Sequence, residues 1–173
     1  MGSGQMNDNK EKIISLIMEN QDILKCIKYK ENDCNILNKP DLTVKEKIAM
    51  RQSNIFKYRK IPIDTVIEQE IYLSMEYGEI YYMGGSGGYY SSSNPYFKIP
   101  DFIFYVITHN SLDENKIIGS RVDRIEEEIY NIFHNKLTLE DFGKSYILNS
   151  KPLYLPKDYI GRQITLRFVG RNN

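Results

Sequence analysis

The most apolar run of the chain is Phe97 to His109, in which Phe102, Phe104, Val106 and Thr108 alternate against Ile103, Tyr105 and Ile107. Apolar residues on both sides of a period-2 pattern predict a central strand with each face covered. A polar turn follows over Ser111 to Gly119, and the period then changes. Ile118, Val122, Ile125, Ile129, Ile132 and Phe133 recur at near-helical spacing, and Ser120 with Asp123 makes an S-x-x-D start. The pair of elements reads as a packing unit, with Arg121, Arg124, Glu126, Glu127 and Glu128 assigned mainly to the outward faces of the helix.

Ahead of this unit, Asn9 to Lys30 carries the stripe Ile13, Ile14, Ile17, Ile23, Leu24 and Ile27, which predicts one helix capped by Asn7 or Asp8. Pro40 lies in a polar connection, and Thr43 with Glu46 forms a capping box for a short helix ending near Arg51. An irregular basic stretch precedes a strand in which Ile71, Leu73, Met75 and Tyr77 share one side. Residues 84–95 are a Gly/Ser/Tyr-rich flexible loop, because such a composition cannot build a core. Past the helix, Lys144 to Ser150 reads as a strand, Pro152 and Pro156 reduce the next segment to an edge or irregular piece, and Arg162 to Val169 closes the fold. There Ile164, Leu166 and Phe168 point inward and Thr165 and Arg167 outward. The expectation is one α+β domain over residues 1–173, in the order α-α-β-β-α-β-β. Its mostly antiparallel sheet packs against helices, and residues 1–8 form a flexible N-terminus.

Charge narrows the function classes. The 173 residues carry 23 basic and 23 acidic side chains, so no global field favours nucleic acid. A local basic patch at 51–60 (Arg51, Lys57, Arg59 and Lys60 around Phe56 and Tyr58) keeps open an accessory DNA-binding role. The same stretch also reads as a solvated connection pinned by Ile55, Phe56 and Ile61. Cys26 and Cys34 lack zinc spacing and read as reduced thiols. No signal peptide or membrane span is expected, which predicts a soluble protein made in the cytoplasm. The Gly-Ser-Gly composition of Met1 to Gln5 marks it as an addition, with Met6 the natural start.

Catalytic patterns are thin. Pro100-Asp101 with Glu114-Asn115-Lys116 matches the loose P-D…E-x-K arrangement of divalent-metal nucleases, but the E-x-K falls in the turn after the same strand. His109 and His134 have no matched carboxylate spacing, and Gly84 to Gly88 lacks the Lys-Ser or Lys-Thr of a phosphate loop. No G-x-S-x-G elbow occurs. The expectation is a non-enzyme with no catalytic residues, cofactor or metal site.

The stretches NPYFKIPDFIFYVITHN, IIGSRVDRIEEEIYNIFHN, KSYILNS and GRQITLRFV together resemble the tail terminator and head-to-tail connector proteins of tailed bacteriophages. The shared features are a strand ending in a V-x-x-H-like turn, a G-x-R-x-D-x-I helix start at Gly119, Arg121, Asp123 and Ile125, and a closing antiparallel pair. The resemblance covers roughly the C-terminal half. It implies a sheet packed on helices and a ring, commonly a hexamer, that caps the tail tube and joins it to the head. Implied partners are identical subunits, other neck and tail-tube proteins and DNA in the channel. The implied location is the host cytoplasm during assembly and then the virion. For subunit contacts the candidates are Arg121, Arg124, Glu127, Glu128 and Arg167, with Tyr89 and Tyr90 in an arm that orders on assembly.

Overall fold

Asn20 splits the predicted N-terminal helix in two. The computed structural model describes residues 3–58, 70–82, 98–136, 138–139, 143–155 and 158–169. In it α1 spans Ser3–Glu19, and α2 spans Gln21–Lys28. Asn20 is extended between them, and its side chain accepts the Ile23 N–H at 2.9 Å. An asparagine that satisfies an orphan donor in this way opens a new helix rather than continuing the old one. The apolar stripe survives the break, because Ile13, Ile14, Ile17, Ile23, Leu24 and Ile27 are all buried in one core. α1 starts well before the predicted Asn7 or Asp8 cap.

A short 3₁₀ turn at Ile36–Asn38 leads to α3, Val44–Ser53. The predicted capping box is present there: Thr43 Oγ accepts from the Glu46 N–H, and the Glu46 carboxylate accepts from the Thr43 N–H at 2.8 Å.

The sheet has six strands: β1 (Ile55–Phe56), β2 (Ile71–Tyr82), β3 (Lys98–His109), β6 (Thr138–Leu139), β7 (Gly143–Pro152) and β8 (Tyr159–Val169). Their spatial order is β1-β2-β3-β8-β7-β6, antiparallel except for the β1–β2 pair. β3 is central, as the two-sided apolar pattern predicts. One face carries Phe102, Phe104 and Val106 of β3 with Ile71, Leu73 and Met75 of β2 and Ile164, Leu166 and Phe168 of β8. Helix α5 (Arg121–Phe133) lays Val122, Ile125, Ile129 and Phe133 on this face, and the Phe133 ring stacks on Phe104 at 5.5 Å. Each such side chain contributes up to about 1.5–3 kcal/mol relative to exposure. The opposite face gathers Phe56, Tyr72, Tyr105 and Ile107 beneath Leu153 and Leu155. Leu153 and Leu155 belong to the Pro-flanked segment, which crosses the sheet as a strap held by Leu153 N–H to the Gly161 carbonyl at 2.9 Å. Gly161 is required here, since a Cβ would stand 2.6 Å from the Val106 carbonyl oxygen.

The predicted polar turn after β3 proves to be structured. It holds a one-turn helix α4 (Asn110–Asp113) and a hairpin of β4 (Glu114–Asn115) with β5 (Gly119–Ser120). His109 caps α4 by accepting the Ser111 N–H at 3.2 Å. Gly119 sits at φ +78°, a conformation glycine adopts without the steric cost of a side chain. The α+β class and the mostly antiparallel sheet stand as predicted. The additions are the divided first helix, the two-residue strands β1 and β6, and the hairpin. The predicted flexible loop 84–95, with Tyr89 and Tyr90, lies outside the described residues.

Candidate interaction surface

Helix α5 starts at Arg121, and that arginine is not on the surface. It is fully buried, with Nη1 donating to the carbonyls of Cys26 (3.3 Å) and Tyr29. Nη2 donates to the Glu31 carbonyl at 2.7 Å and to Asn32 Oδ1 at 3.1 Å. The last carbonyls of α2 have no intrahelical partners, and a cation at the negative end of the helix satisfies them. Burial pulls the Arg121 pKa below its ordinary value. The segment Tyr29 to Cys34 is gripped from a second side by Asn115, itself buried, whose Nδ2 donates to the Glu31 carbonyl (2.9 Å) and the Cys34 carbonyl (3.1 Å). Asp113 completes the junction, accepting the Val122 N–H at 3.0 Å and the Ser120 hydroxyl at 3.2 Å. Sequence reasoning misses this polar junction, since its partners lie up to 95 positions apart.

Glu128 is also a structural residue rather than an outward one. It is buried and accepts from Asn20 Nδ2 at 2.9 Å, while Arg124 pairs with it at 2.6 Å. Arg124 also reaches Asp22 at 3.1 Å and Glu127 at 2.7 Å, so it ties α5 to α2. On the sheet side, Arg162 of β8 pairs with Asp123 at 3.1 Å and Glu126 at 3.3 Å. Of the predicted contact residues on α5, Glu127 is the one that remains well exposed, at 61 % of its side chain.

Arg167 faces the other way. It alternates with the core residues Leu166 and Phe168, so it lies on the sheet face away from α5, where it holds Asp101 through two bonds of 2.8 and 2.7 Å. A shared surface of Arg121, Arg124 and Arg167 is therefore ruled out by the fold. The nuclease pattern also fails to assemble. Asp101 is committed to Arg167, and Glu114 lies beyond the far end of β3, about 26 Å of strand away. Among the described residues no group of three or more His, Cys, Asp or Glu could hold a metal ion.

Two cations of the basic stretch share one carboxylate. Ile55 and Phe56 are buried in β1, Lys57 pairs with Glu11 at 2.8 Å, and Arg51 approaches the same carboxylate at 3.5 Å. The Lys57 hydrogen bond draws the Glu11 pKa down. Arg59 and Lys60 lie outside the described residues. Cys26 is buried, which pushes its thiol up to about 12 and removes it from nucleophilic chemistry at neutral pH. His134, the C-cap residue of α5, accepts the Ile147 N–H on Nδ1 at 3.3 Å.

Two open grooves flank the exposed ridge of α5. One, of about 270 Å³, has walls of Asp123, Glu126, Glu127 and Tyr130 and a floor of Ile147 and Ile164. The other, of about 450 Å³, runs between Leu37 and Ile118 on one side and Ser120, Asp123, Arg124 and Glu127 on the other. Alongside the first groove, the outer edge of β7 meets β6 only at Gly143 and Lys144. The end of α5 covers it at Ser145 and Ile147. From Leu148 to Pro152 no strand pairs with that edge among the described residues.

The family model YomW matches residues 20–168, nearly all of the fold just described. The chain belongs to the YomW family. The family name is phage-derived and SPbeta prophage-like, and it marks the chain as a phage-associated protein. No curated protein and no solved structure matches the chain. The YomW match spans both the α2–α5 junction and the β7–β8 pair, so the Arg121 network and the open edge lie within the family region. Among the described residues, no helix is long and apolar enough to cross a membrane.

Proposed function

We propose that this YomW-family chain is a structural subunit of a phage neck or tail ring, a tail terminator or head-to-tail connector, acting without a catalytic step. The observation that carries the reading is the outer edge of β7 from Leu148 to Pro152, unpaired among the described residues, with Leu148 exposed. A subunit that closes into a ring removes such edges by pairing them with its neighbours. The edge is also selective. A bulge between Ile147 and Asn149, the exposed Lys151 and Pro152 hinder indiscriminate strand stacking, so that only a shaped partner fits. The phage-associated family and the resemblance of the C-terminal half to tail terminators support the same reading. In it the partners are further copies of the chain, commonly six, together with neck and tail-tube proteins. The protein then acts in the host cytoplasm and ends in the virion. Light scattering combined with electron microscopy tests it. Rings are expected for the full chain, and Leu148→Asp is expected to abolish them without lowering the thermal midpoint. A chain that stays monomeric at high concentration, alone and with tail-tube protein, overturns the reading.

A further inference from the structure

We propose that the groove between α5 and β7 docks an extended, lysine- or arginine-flanked segment of a partner protein that inserts one apolar side chain. The proposal stands independently of the ring reading, because it concerns a different protein and the groove beside the β7 edge, not the edge itself.

Two observations carry it. The first is shape: at about 270 Å³ the groove is smaller than ordinary small-molecule sites, and its floor is the apolar pair Ile147 and Ile164. Such a cleft suits one leucine-sized side chain better than a cofactor. The second is charge. Among the described residues the groove's own Asp123, Glu126 and Glu127 pair with Arg124 and Arg162, three carboxylates against two cations. Because Asp123 and Glu127 are about 60 % exposed, that excess is presented to solvent at the rim of the groove. Complementarity of this kind selects a cationic partner and repels nucleic acid.

The test uses the full chain and fluorescein-labelled synthetic peptides, read by anisotropy at low ionic strength. A Lys-Lys-Leu-Lys-Lys peptide is expected to bind, and to shift the amide signals of Ile147 and Ile164. Its affinity should fall about fivefold or more in Glu127→Lys, a substitution at an exposed position that leaves the fold intact, and should fall with added salt. A Lys-Lys-Ser-Lys-Lys peptide should bind at least about fivefold more weakly, since it lacks the anchor. Equal binding of the two peptides would show bare charge attraction and overturn the proposal. So would an unchanged affinity in Glu127→Lys, or no binding of the leucine peptide at all. Ring formation, followed by light scattering on the same samples, reports on the proposed function separately.

Discussion

The Arg121 guanidinium donates to the Glu31 carbonyl at 2.7 Å across 90 positions of sequence, and so fastens the start of α5 to the chain leaving α2. Removing it takes this donor from the carbonyls of Cys26 and Tyr29, while the Glu31 carbonyl keeps Asn115 Nδ2. Arg121→Met is therefore expected to cost about 3 kcal/mol or more, at roughly 1–3 kcal/mol per unsatisfied group. Arg121→Lys should lose much of the same stability, because an ammonium cannot span four acceptors in a fork. Urea unfolding measures both. A midpoint unchanged from the parent in Arg121→Met would sink the structural role assigned here.

Asp101 and Glu114 belong to one sequence pattern, yet they should respond differently. Asp101 is buried against Arg167, so Asp101→Ala removes two charge-assisted hydrogen bonds and is expected to destabilise by about 2–3 kcal/mol. Glu114 is exposed, and Glu114→Ala should stay within about 0.5 kcal/mol of the parent. Thermal and urea unfolding of the pair checks this.

Two glycines give a matched comparison. At Gly161 a Cβ would strike the Val106 carbonyl at 2.6 Å, whereas at Gly119 nothing lies within 4 Å and only the φ of +78° resists a side chain. Gly119→Ala is expected to cost about 1 kcal/mol, the ordinary penalty for a left-handed residue. Gly161→Ala should cost clearly more, because β3 and β8 must separate to make room. Equal losses in denaturant unfolding would refute the close approach.

Acid should loosen the α2–α3 contact. The hydrogen bond from Lys28, then those from the backbone and side chain of Thr43, hold the Glu46 carboxyl down to about 2. A carboxyl depressed in the folded state stabilises it fully above the ordinary carboxylate range, and that contribution is lost as the pH falls towards 2. Carbon-detected NMR titration should therefore place the Glu46 midpoint near 2 and move it upward in Thr43→Ala. The same variant is expected to lose about 1 kcal/mol at neutral pH through the broken cap.

Arg124 and Glu127 separate folding from association. Arg124→Glu would set a third carboxylate beside Asp22 and Glu128 at the α2–α5 contact, so it should lower the thermal midpoint. Glu127→Lys changes an exposed rim position and should leave the midpoint within a degree or two. A melting series of the two variants decides it.

Local patterning by itself determined the elements of this protein. The alternation in β3, the stripe on α5 and the Thr43–Glu46 box are short-range consequences of period and cap chemistry, and each appears where the sequence predicts it. The break at Asn20 is not read there, because the apolar stripe continues across it and its period argues for one helix. Tertiary structure alone decided which polar residues are interior. Arg121, Ile125 and Glu128 share one helical stripe, yet the sequence reading assigns the arginine and the glutamate to the outward faces. Their charge argues for the surface, because a buried ion is costly unless partnered. Those partners are carbonyls and an amide contributed by α2, by the segment after it and by Asn20, far away in sequence. No window along the chain contains both the arginine and the helix end it satisfies. Only the packing of α5 against α2 brings the opposing groups together and makes burial of the charge favourable.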